Sequence, residues 1–469
     1  MDSLQISSDE FRELLERISK LALSYLDDLD SLRTLPDTNA SETERLFHKD
    51  LPETGLGMAA CDDLEQVIRC SRVQNGRFFG YVLGSGEPVA AAADLLASVL
   101  NQNMTAWRSA PAAATIERTV VEWIAGAIGC PEFRGSLTGG GSSANLMALA
   151  MAREARVPVN EAGFTAPRGI VYASQEIHMS IPKSVALLGI GRDNLRLIPT
   201  DQDYRMIPSN LDEAIESDMR GNRRPLAVVA SAGTVNTGAI DPMAEIAAIA
   251  KKHGLWFHID GAYGALAAIA RPDKFAGLAL ADSISLDPHK WLYQPLDCGC
   301  LLYRDERAAR VAFSHTGDYA KSLSADPIEG FAFFEESMEL SRRFRALKLW
   351  LSLRFHGLSG FRGAIRKDLE FAGRLAEGIR NTPSLELLAP VELSAVCFRC
   401  KGTETDLNAY NASVLKRILE RGRIYLSNAT LRGKFALRAC LVNHRTTEAD
   451  VDSVIPEVLA AAKEVTSHG

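Results

Sequence analysis

Between residues 169 and 304 short apolar runs alternate with helical periods, and few architectures accept that order. Gly169–Ser174, Arg196–Pro199, Leu226–Ala232, Trp256–Asp260, Ser283–Asp287 and Cys300–Arg304 read as strands, while Ser180–Gly189, Pro208–Asp218 and Pro242–His253 read as helices. This alternation predicts an α/β domain around a mostly parallel sheet. Ligands of such sheets gather beyond the carboxyl ends of the strands. Four of those ends carry polar residues: Glu176 with His178, Thr234, Asp260, and His289 with Lys290.

The flanks are organised differently. Residues 9–32 have helical periodicity through Phe11, Leu14, Leu15, Ile18, Leu21, Leu26 and Leu29, and residues 33–60 read as a polar, extended connection. An arm of this kind buries itself poorly. It packs most simply on a partner subunit, although its own domain is equally allowed. Residues 88–101 and 115–128 read as helices. The aromatic stretch Gly76–Tyr81 fits ordinary core packing or a pocket wall. Residues 314–335, with Tyr319, read as a long mobile loop, and 338–356 as a long helix carrying Arg342, Arg343, Arg345 and Lys348. Beyond it, strands at 393–399 and 434–442 and helices at 361–380, 406–421 and 448–465 suggest a smaller α+β unit. The expected division is an N-terminal arm (1–85), a large domain (86–348) and a small C-terminal domain (349–469).

Composition excludes several classes. The 469 residues are 46% hydrophobic and 24% charged, as in soluble globular proteins. The net charge of −7 leaves no basic excess for nucleic-acid phosphates. No apolar run of about 18 residues is present to span a membrane. The first eight residues do not resemble a secretory signal. Eight scattered cysteines fit reduced thiols in the cytoplasm better than a disulfide framework. Cys397-x-x-Cys400 lies in a strand-like run without a second Cys or His pair nearby, so no metal site is expected.

Three features at the strand ends point to one chemistry. In Ser285-Leu286-Asp287-Pro288-His289-Lys290-Trp291 the proline ends a strand and leaves Lys290 at its tip, in an expectedly apolar neighbourhood where desolvation makes an amine nucleophilic. The turn Gly139-Gly140-Gly141-Ser142-Ser143-Ala144 opens a strong helix, so its N–H groups can converge on an anion. It also fits a loose dinucleotide fingerprint. That reading is discounted because the turn lies well inside the chain and no strand ending in an acid follows about 20 residues later. Asp260 ends an apolar strand and is followed by the small residues Gly261 and Ala262. A carboxylate there needs a cationic partner, and a pyridinium nitrogen suits it, with His178 available to stack on the ring. A lysine for an imine, an acid for a ring nitrogen and a phosphate cradle are what pyridoxal 5′-phosphate asks of a protein.

With these stretches in hand, the chain resembles the pyridoxal-phosphate-dependent group II decarboxylases, and especially the aromatic L-amino-acid decarboxylases. Asp287–Leu292, His258–Tyr263, Gly139–Ala144, Glu176–Ser180, Arg342–Lys348 and Ser109–Glu117 carry the likeness, in colinear order from about residue 10 to 460. The resemblance implies a fold-type I, aspartate-aminotransferase-like architecture and a homodimer with shared active sites. It implies that Lys290 carries the cofactor, Asp260 meets the ring nitrogen, and Ala262 and His178 cover the two ring faces. Gly140, Gly141, Ser142 and His289 would serve the phosphate, and Thr234 would lie near the ring substituents. Tyr319 would protonate the substrate from a loop of the other subunit.

Phe79, Tyr81, Val82 and Trp107 are the candidate substrate contacts. An aromatic substrate is the expectation, with glutamate or aspartate as the alternative. An acidic side chain needs a facing cation, and none is identified in the sequence. Some relatives make aldehydes instead of amines, but they replace the loop tyrosine or the stacking histidine, and both are retained here. A catalytically dead relative is disfavoured by the presence of Lys290, Asp260, His178 and Tyr319.

Overall fold

The computed structural model describes residues 4–164, 169–315, 326–402 and 404–468. Seven strands form the main sheet: β1 (Arg134–Thr138), β2 (Gly169–Ser174), β3 (Leu195–Ile198), β4 (Arg224–Ser231), β5 (Trp256–Asp260), β6 (Ser283–Leu286) and β7 (Gly299–Tyr303), in the order β1-β7-β6-β5-β4-β2-β3. The β2–β6 pairs are parallel, and β7 runs antiparallel to both β6 and β1. The strand–helix alternation is therefore realised as a mostly parallel sheet. β4 and β5 are buried almost throughout because helices cover both faces. Strand β5 divides its side chains by the two-residue period. Phe257 and Ile259 enter the core on one face, and Trp256 packs on the other among residues of the helix Gly141–Arg156. His258 and Asp260 share the face of Trp256, which places two polar groups under that helix.

A four-stranded antiparallel sheet forms the small unit: β8 (Leu385–Leu387), β9 (Ala395–Cys400), β10 (Ser427–Leu431) and β11 (Lys434–Cys440), in the order β10-β11-β9-β8. Cys397 and Cys400 belong to different core clusters of this unit, so their thiols do not face each other.

Several local expectations give way to tertiary contacts. The long helix does not start at 338; it spans Ala346–Arg380, with a kink at Gly357 where φ is +68°. This one element joins the helices expected at 338–356 and 361–380. The residues before it are held by distant partners instead of by a helical ladder. Arg342 is fully buried, pairs with Glu117 and donates to the carbonyls of Leu137 (2.8 Å) and Met104 (3.2 Å). Glu117 also accepts the N–H of Leu137 at 2.9 Å, so one ion pair ties a helix, β1 and the helix approach together. Breaking a buried pair of this kind typically costs about 3–5 kcal/mol. The segment 33–60 is not wholly extended: it holds the helix Ala40–Phe47, capped by Asn39, and the start of the 3-10 turn Gly57–Asp63. Their few apolar residues left no readable period. Strand β1 was also not expected, because only Leu137 is strongly apolar in it and its pairing with β7 supplies the order.

The two units meet close to the lysine segment. Tyr293, three residues after Lys290, donates its hydroxyl to Asp368 Oδ2 (2.8 Å), which also accepts the N–H of Asn443 (3.0 Å). Asn443 in turn donates to the carbonyl of Asn75 at 2.7 Å. Burial pushes the Asp368 carboxyl up to about 7, and its Oδ1 has no partner. The folded protein thus keeps this proton where an unfolded chain, near 3.8, has lost it. The resulting stabilisation is complete below about pH 3.8 and disappears as the pH rises through 7. Asp368→Asn keeps the acceptor and removes the buried charge. Urea denaturation should show it more stable than the parent at pH 8, by on the order of 2 kcal/mol, with the difference vanishing at pH 4. Equal destabilisation at both pH values would contradict this account.

Candidate active site

A cavity of about 380 Å³ opens at the carboxyl ends of β1, β2, β4, β5 and β6. It is lined by the Gly139–Ser143 turn, Asn145, His178, Ser231, Thr234, Asp260, Ala262, Asp287, His289 and Lys290, among others. The sheet therefore gathers Gly140, Gly141, Ser142, His178, Thr234, Asp260, Ala262, His289 and Lys290, which are far apart in sequence. Tyr319 lies outside the described residues.

Asp260 is buried at the end of β5, and three groups donate to its carboxylate. The N–H of Ala262 (3.2 Å) and the hydroxyl of Ser285 (3.1 Å) reach Oδ1, and Asn145 Nδ2 reaches Oδ2 (3.1 Å). Ser285 is in place because β5 and β6 pair Asp260 with Ser285 in register. Asn145 is in place because it lies four residues, about one turn, into the helix that the glycine turn opens.

Lys290 sits in a short helical turn, Pro288–Trp291, that starts with proline at its first position. The apolar surroundings expected for it are corrected by the structure: Nζ lies 3.0 Å from Asp287 Oδ2. The strand end places an acid one turn before the lysine. His289 directs Nδ1–H to the carbonyl of Cys298 at 2.7 Å, and its Nε2 is 3.7 Å from Asp287 Oδ2. Burial lowers the His289 imidazole, against the opposing pull of Asp287.

His178 accepts at Nδ1 from the N–H of Ser180 (3.2 Å) and sits 2.9 Å from the Ser180 hydroxyl. Its proton is therefore on Nε2, and burial lowers the imidazole further toward the neutral form. Thr234 is held by Thr237 (2.9 Å) and receives the N–H of Ala239 at 3.2 Å. Asp241, pushed up to about 6 by burial, accepts the N–H of Ser231 behind it.

The candidate substrate contacts fare unevenly. Val82 lines the cavity, whereas Phe79, Tyr81 and Trp107 are not among its lining residues. Phe79 is in the core of the small unit, and its N–H donates to the carbonyl of Tyr425 at 2.9 Å. Tyr81 is half-exposed and bonded to the Tyr425 hydroxyl at 3.0 Å. Trp107 packs against the large core, with its N–H on the carbonyl of Phe331. For Phe79 and Tyr81 the cause is backbone pairing of residues 77–79 with the small unit, which composition does not reveal, whereas Trp107 is held by the large core.

Asn145, Ser180, His258 and Ser285 also build the site and were not singled out from the sequence. The signal for His258 was present, since two residues apart in a strand puts it on the face of Asp260.

Comparison with known proteins agrees with this geometry. The profile of the pyridoxal-dependent decarboxylase conserved domain matches residues 42–401. An aromatic-L-amino-acid decarboxylase of Bacillus atrophaeus is 32% identical over 99% of this chain and 98% of its own. A phenylacetaldehyde synthase of Petunia hybrida is 30% identical over 78% of this chain and 76% of its own. Among solved structures, Oryza sativa TDC with PLP and tryptamine superposes with a TM-score of 0.93 and 27% identity, covering 98% of this chain and 99% of that one.

The residues present fit pyridoxal 5′-phosphate. Lys290 brings a primary amine and Asp260 a buried carboxylate to the one cavity on which the glycine turn opens. The turn is glycine where space is shortest: Gly140 has φ +141°, and a Cβ on Gly141 would lie 2.7 Å from the Ala262 methyl and 3.0 Å from Asp287 Oδ2. Gly141→Ala should therefore weaken cofactor binding by at least about tenfold, or about 1.4 kcal/mol, in a fluorescence titration. Unchanged affinity would remove the turn from the cradle.

Proposed function

The chain belongs to the pyridoxal-dependent decarboxylase family, and from that premise we propose that this amino-acid carboxy-lyase acts on an aromatic L-amino acid, releasing CO₂ and the amine. The observation that carries the substrate class is the charge of the cavity wall. Its described cationic or potentially cationic residues are Lys290, His178 and His289, all belonging to the cofactor site. Among the described wall residues an acidic side chain would find no further cation, whereas an aromatic one needs none. The names of the relatives, an aromatic-L-amino-acid decarboxylase and a tryptophan decarboxylase among them, support the same class.

Pyridoxal 5′-phosphate, when bound, supplies an electrophilic carbonyl and a ring that takes up the electron pair left by departing CO₂. Lys290 would hold it covalently, and Asp260 would keep the proton on its ring nitrogen. The N–H groups of Gly140, Gly141 and Ser142, with His289, would receive the phosphate. Ala262 and His178 would cover the two faces, with Thr234 at the rim. Asp287 Oδ2, 3.0 Å from Lys290 Nζ, is placed to accept a proton whenever the lysine acts as a nucleophile. His178 offers its Nε2–H within the cavity, and Tyr319 would deliver the proton that replaces CO₂ at the substrate α-carbon.

A homodimer is part of this proposal. The helix Ser8–Asp28 buries none of its residues within the chain, leaving Ile18, Leu23 and Leu26 exposed. Leu95, Leu96, Val99 and Leu100 form a second exposed apolar group at the end of the helix Pro88–Leu100. Apolar surface of this extent on a described single chain fits an interface between copies. Among the described residues no helix is long and apolar enough to cross a membrane, and all eight cysteines are free, in keeping with a cytoplasmic location.

Incubation with tryptophan, phenylalanine, tyrosine, DOPA, glutamate and aspartate should release CO₂ and amine from aromatic substrates only; preferential turnover of glutamate or aspartate would overturn the substrate class. Lys290→Ala should abolish the visible absorption of the loaded protein together with turnover. Tyr319→Phe should lower amine yield at least about a hundredfold and expose aldehyde formation. Unchanged amine yield without aldehyde would remove Tyr319 from proton delivery.

A further inference from the structure

Under the site runs a buried chain of side chains that no step above uses. Trp256 Nε1–H donates to Ser283 Oγ at 2.9 Å, and Ser283 Oγ lies 2.9 Å from His258 Nδ1. His258 Nε2 is 2.9 Å from Asn145 Oδ1. Asn145 Nδ2 then reaches Asp260 Oδ2 (3.1 Å) and Ser180 Oγ (2.9 Å), and Ser180 Oγ touches His178 Nδ1. All of these residues except His178 are buried.

The direction is set at the Asp260 end. A carboxylate only accepts, so Asn145 turns Nδ2 to Asp260 and Oδ1 to His258, which donates from Nε2. His258 Nδ1 then accepts the hydroxyl proton of Ser283, and it also lies 3.1 Å from the Ser283 carbonyl. Trp256 has a donor and no acceptor, and it donates to the same hydroxyl oxygen. Both amide hydrogens of Asn145 are left for Asp260 and Ser180. The opposite amide orientation would set Oδ1 against the Asp260 carboxylate. An asparagine amide has no directional preference of its own, so its orientation comes from its neighbours.

We propose that His258 is a positioning residue: aligned by Ser283 and Trp256, it locks the Asn145 amide so that one side chain donates at once to Asp260 and to the Ser180–His178 pair. Burial supports this by holding the His258 imidazole down to about 4, so it stays neutral and keeps one donor and one acceptor. Geometry supports it independently. Strand period puts Trp256, His258 and Asp260 on one face, and β5–β6 register pairs His258 with Ser283 and Asp260 with Ser285. The proposal deepens the assignment of Asp260 to the cofactor ring and rests on it.

A double-mutant cycle on the dissociation constant for pyridoxal 5′-phosphate tests this, using His258→Phe, Asn145→Leu and the double variant of the full chain. Positioning side chains behind a site commonly act on affinity by about 10–100-fold. His258→Phe should weaken binding about tenfold, and in the Asn145→Leu background it should add no more than about twofold. His258→Gln, which keeps a donor and an acceptor, should restore binding to within about threefold of the parent. Losses that multiply in the double variant, or a Gln variant as weak as Phe, would mean that His258 only fills space, and the proposal would fall. If the Phe or Leu variant does not fold, His258→Gln and the isosteric Asn145→Asp decide it: Gln must bind like the parent, and Asp must bind at least about tenfold more weakly. Any other pattern would overturn the proposal. Because the readout is cofactor affinity, the proposal stands or falls separately from the aromatic substrate class, which is judged by CO₂ release.

Discussion

A carboxylate at the inner end of an apolar strand is the constraint on which the site depends. Removing Asp260 from water is costly unless its oxygens are satisfied. Its donors arrive from three places: the loop after β5, strand β6, and the helix that follows β1. Satisfying one acid therefore requires the β5–β6 register and the seating of the helix Gly141–Arg156. The same seating brings the glycine turn beside Asp287, so the placement of the turn and of the acid share a cause.

Asp287 and Lys290 make a second arrangement that depends on chain direction. Proline ends β6 and opens a single helical turn, which brings residues three apart together. That turn is braced from outside: Gly84 donates its N–H to the carbonyl of His289 at 3.0 Å, and a side chain at Gly84 would collide with the backbone of His289 and Lys290. Tyr293 links the same segment to Asp368 and so to the small unit. Lys290 is thus fixed by the large sheet, by the segment around residue 84 and by the small unit together.

Much of this was legible in the sequence. The strand–helix alternation located six of the seven strands of the main sheet within a residue or two at their ends, because buried parallel strands must be apolar and their crossovers must be helical. Polar residues at the strand ends announced Lys290, Asp260, His178 and the glycine turn. Misreadings arose where the backbone is held by distant side chains. Arg342 looked helical by its neighbours but is fixed by Glu117 and two carbonyls. Phe79, readable from the sequence either as core or as a pocket wall, packs in the core of the small unit and pairs with the backbone at Tyr425.

The sequence by itself determined the layout of the fold and the chemical inventory at the strand ends, since period and residue type are local properties. Tertiary structure alone decided which of those groups meet. Ser285 beside Asp260, and the line from Trp256 through His258 to Asn145, follow from register and helix seating. Hydrogen-bond direction is set by the neighbours a group acquires on folding, and an asparagine or a histidine in a sequence carries no record of which way it will face.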